Sequence, residues 1–223
     1  MILKEFDLDL PEKDKNTRHA FRNDVRCVAA HYFSFFPKKF KTSGFWKVLV
    51  ECVSENKAPE LYMDVKTVKV DFDFDFDNYL SLEKLDKKKA ILDALHRGVA
   101  KVSDEEGWDS SLLDVCKANV IESNYDYYWT YKKTKKNREK KLLAELLCHH
   151  DLDTFTATMQ IRDLDGDTIF EEIVVNEDPN EFVFAYKLGD FKWISNNEIE
   201  LCNKSKKHVA TINVETKNIY FIE

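Results

Sequence analysis

Hydrophobic and polar residues alternate over residues 68–77, VKVDFDFDFD. Valines and phenylalanines occupy one set of alternate positions, and Lys69 and four aspartates occupy the other. A period of two places successive side chains on opposite faces of a β-strand, as in a strand with one face on a core and one in water. Together with the residues before it, this pattern predicts a long strand over residues 61–77, with its aspartates on the solvent face.

A different spacing recurs in the helical segments. Over residues 17–36, apolar side chains return every three or four positions, which is typical of the buried stripe of an amphipathic helix. Residues 82–103 repeat this spacing, and a shorter helix is predicted after Asp109. Residues 2–10 and 45–54 are predicted as strands.

The second half of the chain is richer in short alternating runs. Residues 125–133 predict a strand, and a basic helix with a leucine edge is predicted from 134 to about 150. Short runs separated by turn signals follow, among them EFVFAYKL at residues 181–188, and they predict an antiparallel β-meander of about six short strands. The predicted fold class is α+β: an N-terminal mixed helix/strand body at 1–150 followed by an acidic meander at 151–223. No Gly-, Ser- or Pro-rich linker separates them, so we expect one compact unit or two tightly joined ones.

Charge is distributed unevenly along the chain. The formal net charge is −7, but residues 145–223 carry 16 acidic and 7 basic residues, whereas residues 1–144 carry 25 and 27. An acidic surface repels the nucleic-acid backbone and attracts basic partners. We therefore expect a basic protein partner. The alternative, that acidity only keeps the protein in solution, stays open.

Cysteine usage and hydropathy indicate the compartment. The five cysteines are odd in number and scattered, without a CxxC pair, which argues for reduced thiols in a cytoplasm. No run of 18 apolar residues occurs, so we expect no membrane helix. The acidic N-terminal stretch lacks the pattern of a secretory signal, and the expected location is cytoplasmic.

The candidate partner-binding residues are Asp71, Asp73, Asp75 and Asp77. Alternate residues on a strand are about 7 Å apart, so two neighbours can share a cation, but four in a line cannot converge on one ion. The preferred interpretation is a solvated strand face and, more specifically, a surface for a basic partner. In the alternative, a metal-dependent enzyme acting on phosphodiesters or nucleotides uses Asp73 and Asp75 as metal ligands. The isolated glycines form no phosphate loop, and no metal or cofactor is predicted.

A basic segment follows a cluster of aromatic residues. YDYYWTY holds five aromatics in seven residues, and KKTKKNREKK at 132–141 places seven bases in ten. Rings beside lysines hold bases and phosphates in many single-strand and RNA binders, so an RNA-binding accessory protein is a second alternative. In a strand, however, alternate rings would face the core. The nucleic-acid-binding candidates are Lys132, Lys133, Lys135, Lys136 and Arg138.

Two shorter motifs have an ordinary structural explanation. DLDGD at 163–167 resembles part of a calcium loop, but Asp-Gly between alternating apolar runs predicts a hairpin turn. CHHDLD at 148–153 offers His and Asp together, yet histidines also suit the end of a helix.

No motif of nucleophilic catalysis is present: there is no GxSxG, HExxH or P-loop. The sequence therefore favours a non-enzymatic cytoplasmic binding protein that recognises a basic protein through an acidic, strand-rich surface. An immunity- or antitoxin-like protein that masks a basic toxin is one concrete form of this hypothesis.

Overall fold

A computed structural model describes residues 1–55 and 61–221 of the chain. Within these residues it contains five helices and twelve strands, which confirms the α+β class. The chain divides into two compact units, Met1–Tyr127 and the residues from Tyr128 onward. This division lies well before the boundary predicted between residues 150 and 151. The predicted packing of the two parts into one compact unit stays a prediction.

The first unit is the mixed helix/strand body. Its elements are β1 (Glu5–Asp9), α1 (Lys15–Ser34), β2 (Lys47–Val53), β3 (Tyr62–Asp64), β4 (Thr67–Asp73), α2 (Phe76–Ser81), α3 (Lys84–Glu106) and α4 (Ser111–Glu122). The sheet order is β1-β2-β4-β3, with β1, β2 and β4 parallel and β3 antiparallel to β4. Parallel neighbours need a crossover, and α1 supplies it between β1 and β2.

The two faces of this sheet differ in chemistry. On one face, Phe6, Val48 and Val68 lie side by side in register, as do Leu8, Val50 and Val70, and all are buried. Helices α1 and α3 both contact these strands, so this face forms the core of the unit. The opposite face carries the charged residues of the same strands. The prediction of one buried and one polar face is therefore confirmed for β4.

The predicted strand over residues 61–77 is wrong in extent. It is interrupted at Val65 and Lys66, which turn with positive φ between β3 and β4. It then ends at Asp73, because the Asp75 side chain accepts a hydrogen bond from the Asn78 amide and caps α2. Aspartate is among the best N-cap residues, and here capping overrides the alternation.

The second unit is built from antiparallel strands. Its elements are β5 (Tyr127–Lys136), β6 (Leu143–His150), β7 (Phe155–Arg162), β8 (Thr168–Glu177), α5 (Glu181–Lys187), β9 (Asp190–Trp193), β10 (Glu198–Cys202), β11 (His208–Asn213) and β12 (Asn218–Phe221). They form two four-stranded sheets, β5-β6-β7-β8 and β12-β11-β10-β9. Six strands, β7 to β12, lie in the predicted meander, whose last two residues, 222–223, are outside the described residues.

One apolar core joins both sheets of the second unit. Buried residues of β6, β7 and β8 meet buried residues of β9, β10 and β11, and Phe184 of α5 lies among them with its ring stacked on Phe155 at 3.8 Å. Alternate residues of β6 and β7 point inward, as a half-buried antiparallel strand requires.

Two predicted elements of this unit are wrong. The basic helix over 134–150 is a hairpin instead: β5 ends at Lys136, and the Asn137 side chain accepts hydrogen bonds from the amides of Lys141 and Leu142 before β6 begins. The strand over 181–188 is the helix α5, because Asn180 caps the Phe182 amide. In both places an asparagine side chain decides the backbone course.

The division of the chain also changes its charge layout. Residues 1–127 carry 24 acidic and 20 basic residues, and residues 128–223 carry 17 and 14, so the formal charges are −4 and −3. The acidic stretch after residue 150 shares its unit with the basic β5–β6 hairpin. The negative charge is therefore not concentrated in one unit.

Among the described residues, no helix combines the length and apolar character needed to cross a membrane.

Candidate functional site

A cleft of about 450 Å³ opens where the carboxyl ends of β1, β2 and β4 meet. Since the three strands are parallel, the chain leaves all of them at the same edge of the sheet. In open α/β sheets, ligands bind outside this edge. The lining residues are Leu10, Glu12, Lys13, Cys52, Ser54, Asp73, Phe74, Asp75, Phe76 and Asp77.

Three of the four predicted partner-binding aspartates line this cleft. Asp73 is the last residue of β4, Asp75 caps α2, and Asp77 lies in the first turn of α2. All three side chains are exposed. Asp71 lies further back on β4 and is half-buried. The residues do not form the straight row predicted from the alternation; the turn into α2 instead brings Asp73, Asp75 and Asp77 around one opening.

The cleft combines negative charge with aromatic walls. Glu12 is held at the opening, because its carboxylate accepts hydrogen bonds from the amide and hydroxyl of Ser54, at 3.0 and 2.8 Å. Among the described residues of the lining, Lys13 is the one basic residue, and its ammonium lies 5.1 Å from the centre of the Phe76 ring. The described lining therefore holds four carboxylates and one ammonium.

The aromatic walls are supported from the core. Phe21 of α1 makes edge contacts with Phe74, Phe76 and Tyr79, with ring centres 5.7, 6.1 and 5.5 Å apart. The buried Tyr79 also donates a hydrogen bond to Asp24 at 2.9 Å. This cluster holds the segment between β4 and α2 in place, so the acidic opening is a built feature of the fold.

A second set of carboxylates crosses the polar face of the sheet. The register places Asp9 of β1 beside Glu51 of β2, and Glu51 beside Asp71 of β4. Adjacent strands lie about 4.8 Å apart, so the three acidic side chains form a row across the sheet. Asp9 and Glu51 were missed by the sequence reasoning. A charged residue inside the apolar run VLVECV was the available signal.

Asp9 is the most strongly neutralised member of the row. It is buried, and both Arg18 and Arg22 donate to it from Nε and Nη2, with Nε–Oδ1 distances of 3.2 and 3.0 Å. Burial alone would raise its pKa, but the two guanidinium groups outweigh burial and hold the pKa of Asp9 below its usual value. Asp9 is therefore a charged anchor inside the protein.

Asp71 has the opposite electrostatics. Glu51 is buried. It accepts a hydrogen bond from the Tyr62 hydroxyl and forms an ion pair with Lys69 at 3.3 Å. Partial burial raises the pKa of Asp71, and repulsion from Glu51 and Glu12 raises it further, against the attraction of Lys101. Burial is the largest cause of this raised pKa, and the contributions of Glu51 and Glu12 add to it because both carboxylates lie near Asp71.

This arrangement suits the binding of a cationic group. The carboxylates at the opening reach water, and the phenylalanine rings offer flat surfaces on which a guanidinium can stack. Within residues 1–55 and 61–221, no three His, Cys, Asp or Glu side chains are grouped so that they would hold a metal ion. Asp73 and Asp75, the metal ligands of the enzyme alternative, have no third carboxylate of such a set among the described residues.

The nucleic-acid-binding candidates lie on β5 and in the hairpin after it. Lys132 and Lys135 both form ion pairs with Asp190, at 3.3 and 2.7 Å, and Lys133, Lys136 and Arg138 are exposed. Trp129 and Tyr131 pack against the core of the second unit. These two rings and part of the lysines thus make contacts within the unit.

Of the two shorter motifs, one has the structure that was predicted and one does not. Asp163 accepts hydrogen bonds from the amides of Asp165 and Asp167 in the turn between β7 and β8, which confirms the hairpin. His149 and His150 lie on β6 instead of a helix end. His149 stacks on Tyr128 at 4.1 Å, and Nε2 of the buried His150 lies 2.8 Å from the Pro179 carbonyl oxygen.

Comparison with known protein families, curated proteins and solved structures finds no match to the chain.

Proposed function

We propose that the protein is a non-enzymatic binding protein of the cytoplasm that recognises a basic protein partner through the acidic cleft at the end of β4. The observation that carries this proposal is the gathering of Glu12, Asp73, Asp75 and Asp77 around one opening of about 450 Å³. An immunity- or antitoxin-like role, in which the cleft masks a cationic surface of a toxin, is the concrete form.

The cleft matches an arginine or lysine side chain in size and in chemistry. Pockets of a few hundred Å³ enclose a side chain or a small ligand. A guanidinium entering the cleft would lie against Phe74 or Phe76 and pair with the exposed carboxylates. Long-range attraction by the −4 charge of the first unit would steer a basic partner toward it.

The aspartates have different roles in this proposal. Asp73 and Asp77 bind the cationic group, since both are exposed at the opening. Asp75 keeps the opening in shape, because its side chain caps α2 at 2.9 Å from the Asn78 amide. Asp71 contributes negative potential from behind, with its pKa raised by burial and by Glu51.

The test is co-purification of a tagged protein from its native cells at low and at moderate salt. A double variant, Asp73→Asn with Asp77→Asn, removes two charges at the opening. The matched control, Asp165→Asn with Asp167→Asn, removes the same charge from an exposed turn of the second unit. We expect the wild type and the control to retain one basic protein at low salt, and the cleft variant to lose it.

Loss of the partner from both variants alike would show that only overall acidity matters, and would contradict the proposal. Nucleic acid in place of a protein would favour the RNA-binding alternative through the 132–141 segment. No contact in the described residues favours that alternative or the metal-dependent enzyme over the binding protein.

A further inference from the structure

A second recess, of about 330 Å³, lies on the first two turns of α1 and has the opposite charge. Its lining residues are Lys15, Asn16, Arg18, His19 and Arg22. Three of these, Lys15, Arg18 and Arg22, carry a positive charge. The acidic cleft contributes none of them, so this recess is independent of the proposed function.

The two arginines of the recess are held in fixed orientations by one buried carboxylate. Arg18 and Arg22, one turn apart, each donate to Asp9 from Nε and Nη2. Asp9 is 1% exposed, whereas the two arginine side chains are 36% and 41% exposed. Each guanidinium therefore has one edge fixed to the protein, while Nη1 is outside these contacts.

The charge balance of the recess favours an anion. Lys15, Arg18 and Arg22 bring three positive charges, and Asp9 and Asp14 bring two negative ones. Asp14 is already used as the N-cap of α1, where it accepts hydrogen bonds from the amides of Asn16 and Thr17 and from the Thr17 hydroxyl. Glu51, beside Asp9 in the sheet, adds a negative charge near Arg18 but is itself paired with Lys69. The two guanidinium groups thus share the one carboxylate of Asp9.

We infer that this recess binds the phosphate group of a small phosphorylated ligand. Guanidinium groups present paired donors that match phosphate oxygens. Because Asp9 already holds both guanidinium groups in place, binding a phosphate costs less side-chain entropy. Lys15 and His19 lie at the exposed rim, where they complete the contacts to a dianion. The volume suits a phosphate with a small attached group.

The experiment is isothermal titration calorimetry with inorganic phosphate, pyrophosphate and glycerol 3-phosphate at constant ionic strength. Lys15→Ala removes a charge from the rim without touching Asp9, and Lys38→Ala removes the same charge from an exposed site beyond α1. We expect saturable binding that Lys15→Ala weakens about five-fold, as for one surface charge, and that Lys38→Ala leaves unchanged.

Arg22→Lys keeps the charge but removes the paired donors, and we expect it to weaken binding about ten-fold. Thermal unfolding of Arg22→Lys is measured in parallel to show that the variant folds. If it does not fold, Lys15→Ala provides the test. Tighter binding of glycerol 3-phosphate than of inorganic phosphate identifies a phosphate ester as ligand, and equal binding identifies free phosphate. Absence of saturable binding, or equal weakening by both lysine variants, would overturn the inference.

Discussion

Two segments of the chain concentrate like charges, and the structure treats them differently. The acidic segment, residues 73–77, lies at an open cleft whose described lining holds four carboxylates and one lysine. The basic segment, residues 132–141, lies along β5 and the next hairpin, where Lys132 and Lys135 pair with Asp190. In the sequence the two segments are equally conspicuous, but in the structure they lie in different surroundings.

A run of like charges in a sequence is therefore not enough to identify a binding site, because residues that are close only in space can neutralise it. Asp190 is more than fifty residues away from Lys132, at the start of β9. On the acidic side, the register adds Glu51 beside Asp71 and strengthens the negative potential. Spatial neighbours thus pair part of the basic segment and place a further carboxylate beside Asp71, next to the acidic segment.

The largest expected effect comes from breaking the contact that positions Asp190. A Cβ added to Gly189 would lie 2.1 Å from the carbonyl oxygen of Asn203, which is backbone and has no room to move. We expect Gly189→Ala to destabilise the second unit by about 3 kcal/mol, as overpacking does, and to free the lysines from Asp190. Urea unfolding measures the loss.

Gly166→Ala is the control for this substitution. Unlike Gly189, Gly166 has a positive φ, of 97°, and no atom lies within 4 Å of an added Cβ, so only backbone strain of about 1 kcal/mol is expected. Equal losses for the two variants would refute the close contact at Gly189.

The second largest loss of stability is expected on replacing Asp9, the member of the carboxylate row that the two arginines neutralise. Asp9→Asn removes the charge between Arg18 and Arg22, and we expect a loss of about 2 kcal/mol at pH 7, less than for a fully buried pair because both arginines reach water. Since the pKa of Asp9 is lowered by folding, its contribution is complete above the usual aspartate pKa and is lost as the pH falls through the folded value.

Urea unfolding of the wild type and Asp9→Asn at pH 7, 5 and 3 tests this dependence. The difference should persist at pH 5 and shrink at pH 3. A difference that does not change with pH would show that packing, and not charge, accounts for the loss.

A smaller effect is expected from removing the counter-charge of the basic segment. Asp190→Asn breaks two partly exposed ion pairs, so its cost in stability should stay below about 1 kcal/mol. The same change leaves Lys132 and Lys135 available, and we expect later elution from heparin with increasing salt. Asp165→Asn, which has the same change in charge, should elute at clearly lower salt than Asp190→Asn. Identical elution of the two variants would mean that Asp190 does not mask the lysines.

The smallest effect has the opposite sign. Because folding raises the pKa of Asp71, through burial and repulsion by Glu51, the charged form destabilises the folded state as the pH rises past the usual aspartate value. Asp71→Asn should therefore raise stability at pH 7, by less than about 0.5 kcal/mol, and this gain should vanish near pH 3. A loss of stability at pH 7 would contradict the surplus of negative charge.

The helices of the first unit were predictable because packing on one face imposes a spacing of three to four residues. α1 and α3 begin and end within three residues of their predicted bounds. The hairpin after β5 was not predictable in this way. Leucines at 142, 143, 146 and 147 fit a helix, whereas in the structure Ala144, Leu146 and Cys148 alternate inward on β6. Short apolar runs satisfy both periods.

The candidate site was predictable only in part. The alternation identified Asp73, Asp75 and Asp77, but the capping of α2 by Asp75, which gathers them, depends on a local competition between two favourable structures. The partnership of Asp9 and Glu51 with Asp71 follows from strand order and register. These are properties of the assembled sheet, and no single segment contains them.

The central claim, that the acidic cleft binds cationic groups specifically, is tested most directly by an NMR titration with a hexa-arginine peptide. We expect amide shift changes to concentrate at residues 12–13, 52–54 and 73–77, and the double variant Asp73→Asn with Asp77→Asn to remove them. Shift changes of equal size in the acidic turn at residues 163–167 would contradict the claim, because they would show attraction to any exposed carboxylate.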